Sequence, residues 1–161
     1  MIGGSGGIGS VVARQIVAAG GQVFLAGRNT KALAALAAEL AAGWGEAEAT
    51  EAAADDAADD AAVAALGGLT GITNCVGSIM LKPAHLTQPE DWQATLAANL
   101  TTAFNTVRTA GRLLKASGGS VVLLSSAAAR IGLANHEAVA AAKAGVIGLT
   151  LSAAATYARA K

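Results

Sequence analysis

Three groups of residues have types and spacings suited to chemistry. The first opens the chain, where Gly3, Gly7 and Gly9 stand in Met1-Ile2-Gly3-Gly4-Ser5-Gly6-Gly7-Ile8-Gly9-Ser10. An apolar helical pattern follows, with Val11, Val12, Ile16 and Val17, ending at Gly20-Gly21. Where a strand turns into a helix, residues without a Cβ let a diphosphate approach bare main chain and sit at the positive helix N-terminus. Ser5 and Ile8 lie inside this loop and count as candidate contacts. A phosphate loop of the Gly-Lys-Ser/Thr type is excluded, because the first lysine is Lys31. The second group is Gly27-Arg28-Asn29, directly after the apolar run Gln22 to Ala26. In a dinucleotide fold this strand end faces the adenosine ribose, where an acid binds the 2′-hydroxyl and an arginine accommodates a 2′-phosphate. Gly27 stands where the acid would be and Arg28 follows. NADP is therefore the expected cofactor and NAD the alternative; an arginine solvated after a turn is the plainer reading of Arg28. The third group holds the soft ligands. His136-Glu137 would need a histidine at position 140 for H-E-x-x-H, and that residue is Ala140, so no metal is expected. Cys75 has no base beside it in sequence and reads as a small buried hydrophobe.

Composition limits what these residues can belong to. A chain of 161 residues suits one domain over 1–161. Zero formal net charge argues against nucleic acid or an acidic membrane as a partner. Hydrophobic content of 53% exceeds the usual share of about 45–50%. Much of it is alanine, so the core should be rich in residues but thin in volume. No uncharged apolar run reaches membrane-span length, and no basic then apolar segment opens the chain as a leader would. One cysteine excludes an internal disulfide and fits a reducing cytoplasm, the expected location.

The elements that would position these residues alternate. Gln22 to Ala26 reads as a buried strand, and Thr30 to Ala42 as a helix with Leu33, Leu36 and Leu40 on one face. Glu46 to Thr50 has poor propensity for the strand that could stand there. Asp55, Asp56, Asp59 and Asp60 lead into a helix from Ala61 to Leu66 and suit its dipole. A strand within Gly67 to Gly77 ends at Asn74-Cys75-Val76-Gly77. Ser78 to Leu86 reads as a loop. Thr87-Gln-Pro-Glu90 predicts a capping box. A long helix from about Asp91 to Ala116 then carries Trp92, Leu96, Leu100, Phe104, Val107 and Leu114 as expected core residues. Gly118 to Ser126 predicts a parallel strand buried on both faces. A last helix runs from near Asn135 through Lys143 and Tyr157 to Lys161. Such alternation implies right-handed βαβ crossovers and an α/β, Rossmann-type doubly wound parallel sheet.

Several of these stretches resemble one family. Gly3-x-x-x-Gly7-x-Gly9 is similar to the T-G-x-x-x-G-x-G motif of short-chain dehydrogenases/reductases, with Ile2 in the place of Thr. Asn74-Cys75-Val76-Gly77 resembles the family's N-N-A-G, which lines the cofactor cleft. Asn99-Leu-Thr-Thr102 resembles N-x-x-G, whose Asn interrupts the helix and holds a water for proton relay. Lys143-Ala-Gly-Val146 resembles the lysine segment S-K-A-A-V. The resemblance implies an NAD(P)-dependent oxidoreductase acting on a small carbonyl or alcohol, and a homo-oligomer built through the helices carrying Asn99 and Lys143. It implies that Asp56, with Asp55 as rival, binds adenine; four plain N-terminal helix charges are the other reading of that cluster. It further implies that Asn74 and Gly77 line the cleft, that Lys143 holds the nicotinamide ribose and that Ser126 positions the carbonyl oxygen.

One residue breaks the pattern. The family's proton-donating Tyr lies four residues before the Lys, thirteen after the Ser, and that position is Val139. Asn99, Ser126 and Lys143 fill the other catalytic positions. Tyr157 lies too far along the helix to substitute, roughly 21 Å at 1.5 Å per residue. His136 is one turn from Val139 and is the nearer candidate replacement, against an ordinary surface or N-terminal role. The ends also depart from the family. Only Met1 and Ile2 precede the loop, so the first strand is expected to be missing and its two neighbours to lose a partner. The later strands and the substrate-closing segment have no counterpart. A fragment of a longer reading frame, or a reduced relative, is the expectation.

Overall fold

The computed structural model describes residues 1–43, 47–51 and 56–158. The elements are α1 (Gly7–Ala18), β1 (Val23–Gly27), α2 (Thr30–Gly43), β2 (Ala47–Glu51), α3 (Asp56–Leu66), β3 (Gly71–Asn74), a 3₁₀ turn (Ala84–Leu86), α4 (Pro89–Leu96), a π turn (Ala97–Thr101), α5 (Thr102–Leu113), β4 (Ser120–Leu123), α6 (Ala128–Ile131) and α7 (Glu137–Tyr157). β1 pairs with β2 and β3 with β4, both in parallel. Ile2 joins the two pairs by parallel bridges to Ala26 and Asn74. The order is therefore β2-β1-Ile2-β3-β4. The chain winds outward to one side of Ile2 and then crosses to the other, which places the switch point of a doubly wound sheet beside Gly3.

The main chain of Met1 to Gly3 joins β1 to β3. Ile2 N–H donates to Thr73 O at 2.8 Å and Cys75 N–H to Ile2 O at 2.9 Å. Ala26 N–H donates to Met1 O and Gly3 N–H to Ala26 O, each at 2.8 Å. Two residues thus tie the carboxyl ends of β1 and β3, and those are the ends that carry the site.

Two apolar layers cover the sheet. Ala13 and Val17 of α1, Val23 and Leu25 of β1 and the Leu33, Leu36, Leu40 stripe of α2 form one. Ile2, Ile72, Ala110 and Leu114 form the other. The α2 stripe follows the expected helical period.

Four expectations change. In the α4 to α5 segment the buried stripe is Thr95, Asn99, Ala103, Thr106 and Ala110, whereas Trp92 and Phe104 are 36% and 53% exposed. This stripe meets the sheet, Thr106 at Asn74 and Ala110 at Ile2 and Ile72, and the segment also lies tight against α7, where a Cβ on Gly145 would stand 2.9 Å from Leu100 Cδ2. β4 is shorter than expected and not buried on both faces, with Val121 and Val122 39% and 49% exposed. Its pairing runs only to β3. Thr87 does not cap α4. Gln88 holds that position without a side-chain bond, and Thr87 Oγ1 instead donates back to Pro83 O at 3.1 Å. Finally α7, at 21 residues with mean hydropathy 1.6, is long and apolar enough to cross a membrane. Its first half instead buries Ala138, Val139, Ala142, Lys143 and Val146 against the protein.

Candidate active site

The glycine loop folds as a strand-to-helix turn. Gly3 has φ 74°, a left-handed conformation that side chains with a Cβ rarely adopt. A Cβ on Gly9 would overlap Gly3 O, so the first turn of α1 closes directly onto the loop. Nothing stands within 4 Å of a Cβ built on Gly7, and the side chain of Ile8 is 60% exposed. Among the described residues the N–H groups of Gly7, Ile8 and Gly9 have no acceptor. Three orphan donors at an open helix N-terminus suit the diphosphate of a dinucleotide.

Ser5 lies near the end of β1, its Oγ 3.9 Å from a Cβ built on Gly27. Arg28 follows, exposed. Asn29 starts α2 by accepting Ala32 N–H on Oδ1 at 3.0 Å, which fixes the backbone that carries Arg28. Asp56 opens α3, with its side chain outside the described residues, as is the whole of Asp55.

Asn74 ends β3 and works as a clamp. Its Nδ2 donates to Thr106 Oγ1 at 2.9 Å and its Oδ1 accepts Val76 N–H at 2.8 Å. The side chain is buried and braces the turn toward Gly77. Cys75 is partly buried, and burial raises its thiol pKa above the ordinary value. Beyond this turn Gly77, Asn99 and Lys143 converge. A Cβ on Gly77 would stand 3.0 Å from Asn99 Oδ1 and 3.4 Å from Lys143 Nζ. The missing Cβ keeps the floor of the cleft open.

Asn99 reaches this point because the π turn pushes it inward. Its Nδ2 donates to Thr95 O and to Ser78 Oγ, each at 3.0 Å, and to Ser78 O at 3.2 Å, while Oδ1 accepts Ser78 N–H at 3.2 Å. The expected interruption of the long helix at Asn99 is this π turn, a frequent feature of functional helices. Lys143 comes from α7, only 8% exposed, with Nζ donating to Leu124 O at 2.8 Å. Desolvation lowers its pKa below the usual lysine value. Ser125 Oγ donates to Lys143 O at 2.8 Å and ties β4 to α7. Sequence reasoning gave Ser125 no role; its place beside Ser126 was the only available signal. Ser126 Oγ accepts Ala128 N–H at 3.2 Å at the start of α6.

Val139 is 4% exposed and sits one turn before Lys143 on α7. His136 precedes the helix, partly buried, with Nδ1 2.7 Å from Ala134 O. Among the described residues no three His, Cys, Asp or Glu side chains gather to hold a metal.

A parallel doubly wound sheet, with a glycine turn at its switch point and a buried Asn–Lys cleft beside it, defines a domain of the Rossmann type. The short chain dehydrogenase family profile matches residues 1–161, and the chain belongs to that family. It is 34% identical to D-threitol dehydrogenase of Mycolicibacterium smegmatis, over 96% of this chain and 62% of that protein. It is 37% identical to inactive 2-(S)-hydroxypropyl-CoM dehydrogenase 2 of Xanthobacter autotrophicus, over 91% of this chain and 65% of that one. The chain thus spans less than two thirds of these relatives' length. Among solved structures, a metagenomic short-chain oxidoreductase in complex with NADP superposes with TM-score 0.88 at 30% identity, covering 96% of this chain and 73% of the other. A short-chain type dehydrogenase/reductase of Mycobacterium ulcerans superposes at 0.92 and 30% identity, covering 99% and 62%.

Proposed function

We propose that the cleft binds NADP(H) and serves hydride transfer to or from a small carbonyl or alcohol, at a site whose proton-donor position is filled by valine. The observation that carries this is the convergence of Gly77, Asn99 and Lys143 one turn from a buried Val139. The orphan N–H groups of Gly7, Ile8 and Gly9 hold the diphosphate, with Gly3 setting the turn. Arg28, with Ser5 beside it, takes the 2′-phosphate, and Asp56 the adenine. Asn74 braces the wall that ends at Gly77. Lys143 donates to the ribose hydroxyls, and Ser126 positions the substrate oxygen. When bound, the nicotinamide gives or takes the hydride. The NADP complex of the metagenomic relative supports the choice of cofactor.

Proton transfer is the weak half. Valine has no exchangeable proton, and losing general acid–base catalysis costs about 10²–10⁴ in rate. A second reading follows from the same residue: a catalytically deficient relative that binds the dinucleotide and acts through binding or helix-mediated assembly. The Xanthobacter relative, described as inactive, sets a precedent within the family. Exposed Phe104 on α5 and Leu151 on α7 would support assembly of the whole protein through those helices.

Titrating the chain with NADP(H) and NAD(H), beside an assay of nicotinamide oxidation over a panel of carbonyls, tests both readings. NADP(H) binding with slow turnover supports the first. Binding without turnover selects the second. Failure to bind either dinucleotide overturns the cleft assignment.

A further inference from the structure

Lys143 is held at both of its ends by consecutive residues of one turn. β4 stops at Leu123, and the next two residues reach α7. Leu124 O accepts from the Lys143 ammonium and Ser125 Oγ donates to the Lys143 carbonyl, each at 2.8 Å. Ser126 comes next, its Oγ accepting Ala128 N–H at 3.2 Å at the start of α6. One three-residue turn thus sets the ammonium, the backbone that carries it and the Ser126 hydroxyl in a single frame. The two bonds to Lys143 are not equivalent. A lysine stem is a flexible chain of four carbons, so the contact at Leu124 O leaves the nitrogen dependent on how α7 lies against the end of β4. Ser125 fixes that relation. Lys143 lies inside α7, where its carbonyl serves the helix ladder with one lone pair and has a second to offer. The Ser125 hydroxyl takes it from outside the helix. Ser125 is exposed, so water could satisfy its hydroxyl, and burial does not force the bond to α7.

We propose, resting on the reading of Lys143 as the residue that holds the nicotinamide ribose, that Ser125 is a positioning residue: its hydroxyl sets α7 against the end of β4 and so aims the Lys143 ammonium into the cleft beside Ser126. Ser125 touches neither cofactor nor substrate and acts through Lys143. The cleft leaves the ammonium little latitude. A Cβ on Gly77 would stand 3.4 Å from Nζ, and Nζ itself belongs to a residue only 8% exposed. In such a site a misplacement of about 1 Å can cost about 10²-fold in rate, so the hold on the main-chain end of the lysine matters as much as the contact at its tip. The same turn carries Ser126, so a shift of α7 relative to Ser125 changes the distance between the ribose-holding and the substrate-holding groups together.

The test compares the full chain with Ser125→Ala and Ser125→Thr. Each is titrated with NADPH and with adenosine 2′,5′-bisphosphate, which keeps the adenine and the 2′-phosphate but has no nicotinamide ribose. Ser125→Ala should bind NADPH about three- to tenfold more weakly, the loss expected of one neutral hydrogen bond, and the bisphosphate within about twofold of the parent. Ser125→Thr keeps the hydroxyl and should bind NADPH within about twofold of the parent. The side-chain Cε signal of Lys143 in carbon NMR, assigned with Lys143→Met, should move in Ser125→Ala and stay in place in Ser125→Thr, with no cofactor present. Equal losses for NADPH and the bisphosphate make Ser125 a structural residue only and overturn the proposal. Unchanged NADPH affinity in Ser125→Ala, or a loss in Ser125→Thr as large as in Ser125→Ala, overturns it too. If the parent binds no NADPH, the ribose-holding reading of the cleft fails by itself. The Lys143 signal then decides on Ser125, and a signal unmoved in Ser125→Ala overturns its positioning role.

Discussion

Asn99 and Ser78 are joined by three hydrogen bonds, two donated by Asn99 Nδ2 and one accepted by Oδ1. The pair locks the loop following Gly77 onto the π turn. A fourth bond, to Thr95 O at 3.0 Å, ties Asn99 to the preceding helical turn. Asn99 is therefore a structural residue of the cleft whatever else it does.

That arrangement sets the cost of losing it. Asn99→Ala removes a side chain that is 1% exposed and takes away its bonds to Ser78 N–H and to the buried Thr95 O. The expected destabilisation is about 2–4 kcal/mol, or roughly 5–15 °C in Tm for a chain of this size. Urea and thermal melts of the two proteins measure it. A change within 0.5 kcal/mol, about the level of an ordinary surface substitution, would mean that Asn99 does not hold the turn.

The proposed preference for NADP(H) makes a prediction at a different residue. Arg28 is exposed at the carboxyl end of β1, where no acidic side chain competes at Gly27. Arg28→Ala removes one charge-assisted contact to a 2′-phosphate, worth about 1.5–3 kcal/mol. NADPH affinity should fall about 10–100-fold, with NADH affinity changed by less than about twofold. Fluorescence titration of both forms checks it, and equal losses for the two would remove Arg28 from the 2′ site.

Much of this frame was legible in the sequence. The glycine spacing located the turn, the β-forming run at Gln22 to Ala26 located β1 within one residue, and the Leu33-Leu36-Leu40 stripe gave the inner face of α2. Lys143, Asn99 and Gly77 were each found through separate motifs, and the fold brings them together. What periodicity could not show was which stripe of the long helix faces inward. Trp92 and Phe104 are apolar and helically spaced, yet they are 36% and 53% exposed, while Thr106 meets Asn74 of β3 and Ala110 packs with Ile2 and Ile72. α6 was missed because four residues are too few to show a period. The part played by Met1 and Ile2 was also hidden. Two residues look too short for a strand, but their backbone groups are enough to bridge two edges.

The buried lysine makes stability depend on pH. Burial lowers the folded-state pKa of Lys143, so between that value and the unfolded value near 10.4 the unfolded chain binds more protons. Stability then rises with pH across that window; the penalty is full below it and gone above it. Cys75 acts oppositely, since its raised folded pKa makes stability fall once pH passes the unfolded value of about 8.5. Lys143→Met isolates the lysine. In urea melts the stability of the wild type minus that of the variant should climb as pH rises toward about 10.4, the unfolded lysine value. A flat or falling difference would show that the ammonium is not desolvated in the folded state.

The sharpest test restores the missing acid. Val139 stands one helical turn before Lys143, so a tyrosine there would project along the same face of α7 toward the cleft. The Lys143 ammonium nearby would favour the phenolate and lower the phenol's pKa, which suits proton transfer. Val139→Tyr should raise carbonyl reduction by about 10²–10⁴-fold over the parent chain, the range of general acid catalysis. Val139→Phe supplies the same ring without the hydroxyl and should give no gain. NADPH oxidation measured with both variants, beside their melts and NADPH affinities, separates chemistry from packing. If Val139→Tyr folds and binds NADPH as the parent does but turns over no faster, a proton donor already serves the cleft, and His136 is the first residue to remove. If Val139→Phe gains as much as Val139→Tyr, the ring rather than the proton was lacking, and the acid–base reading of position 139 fails.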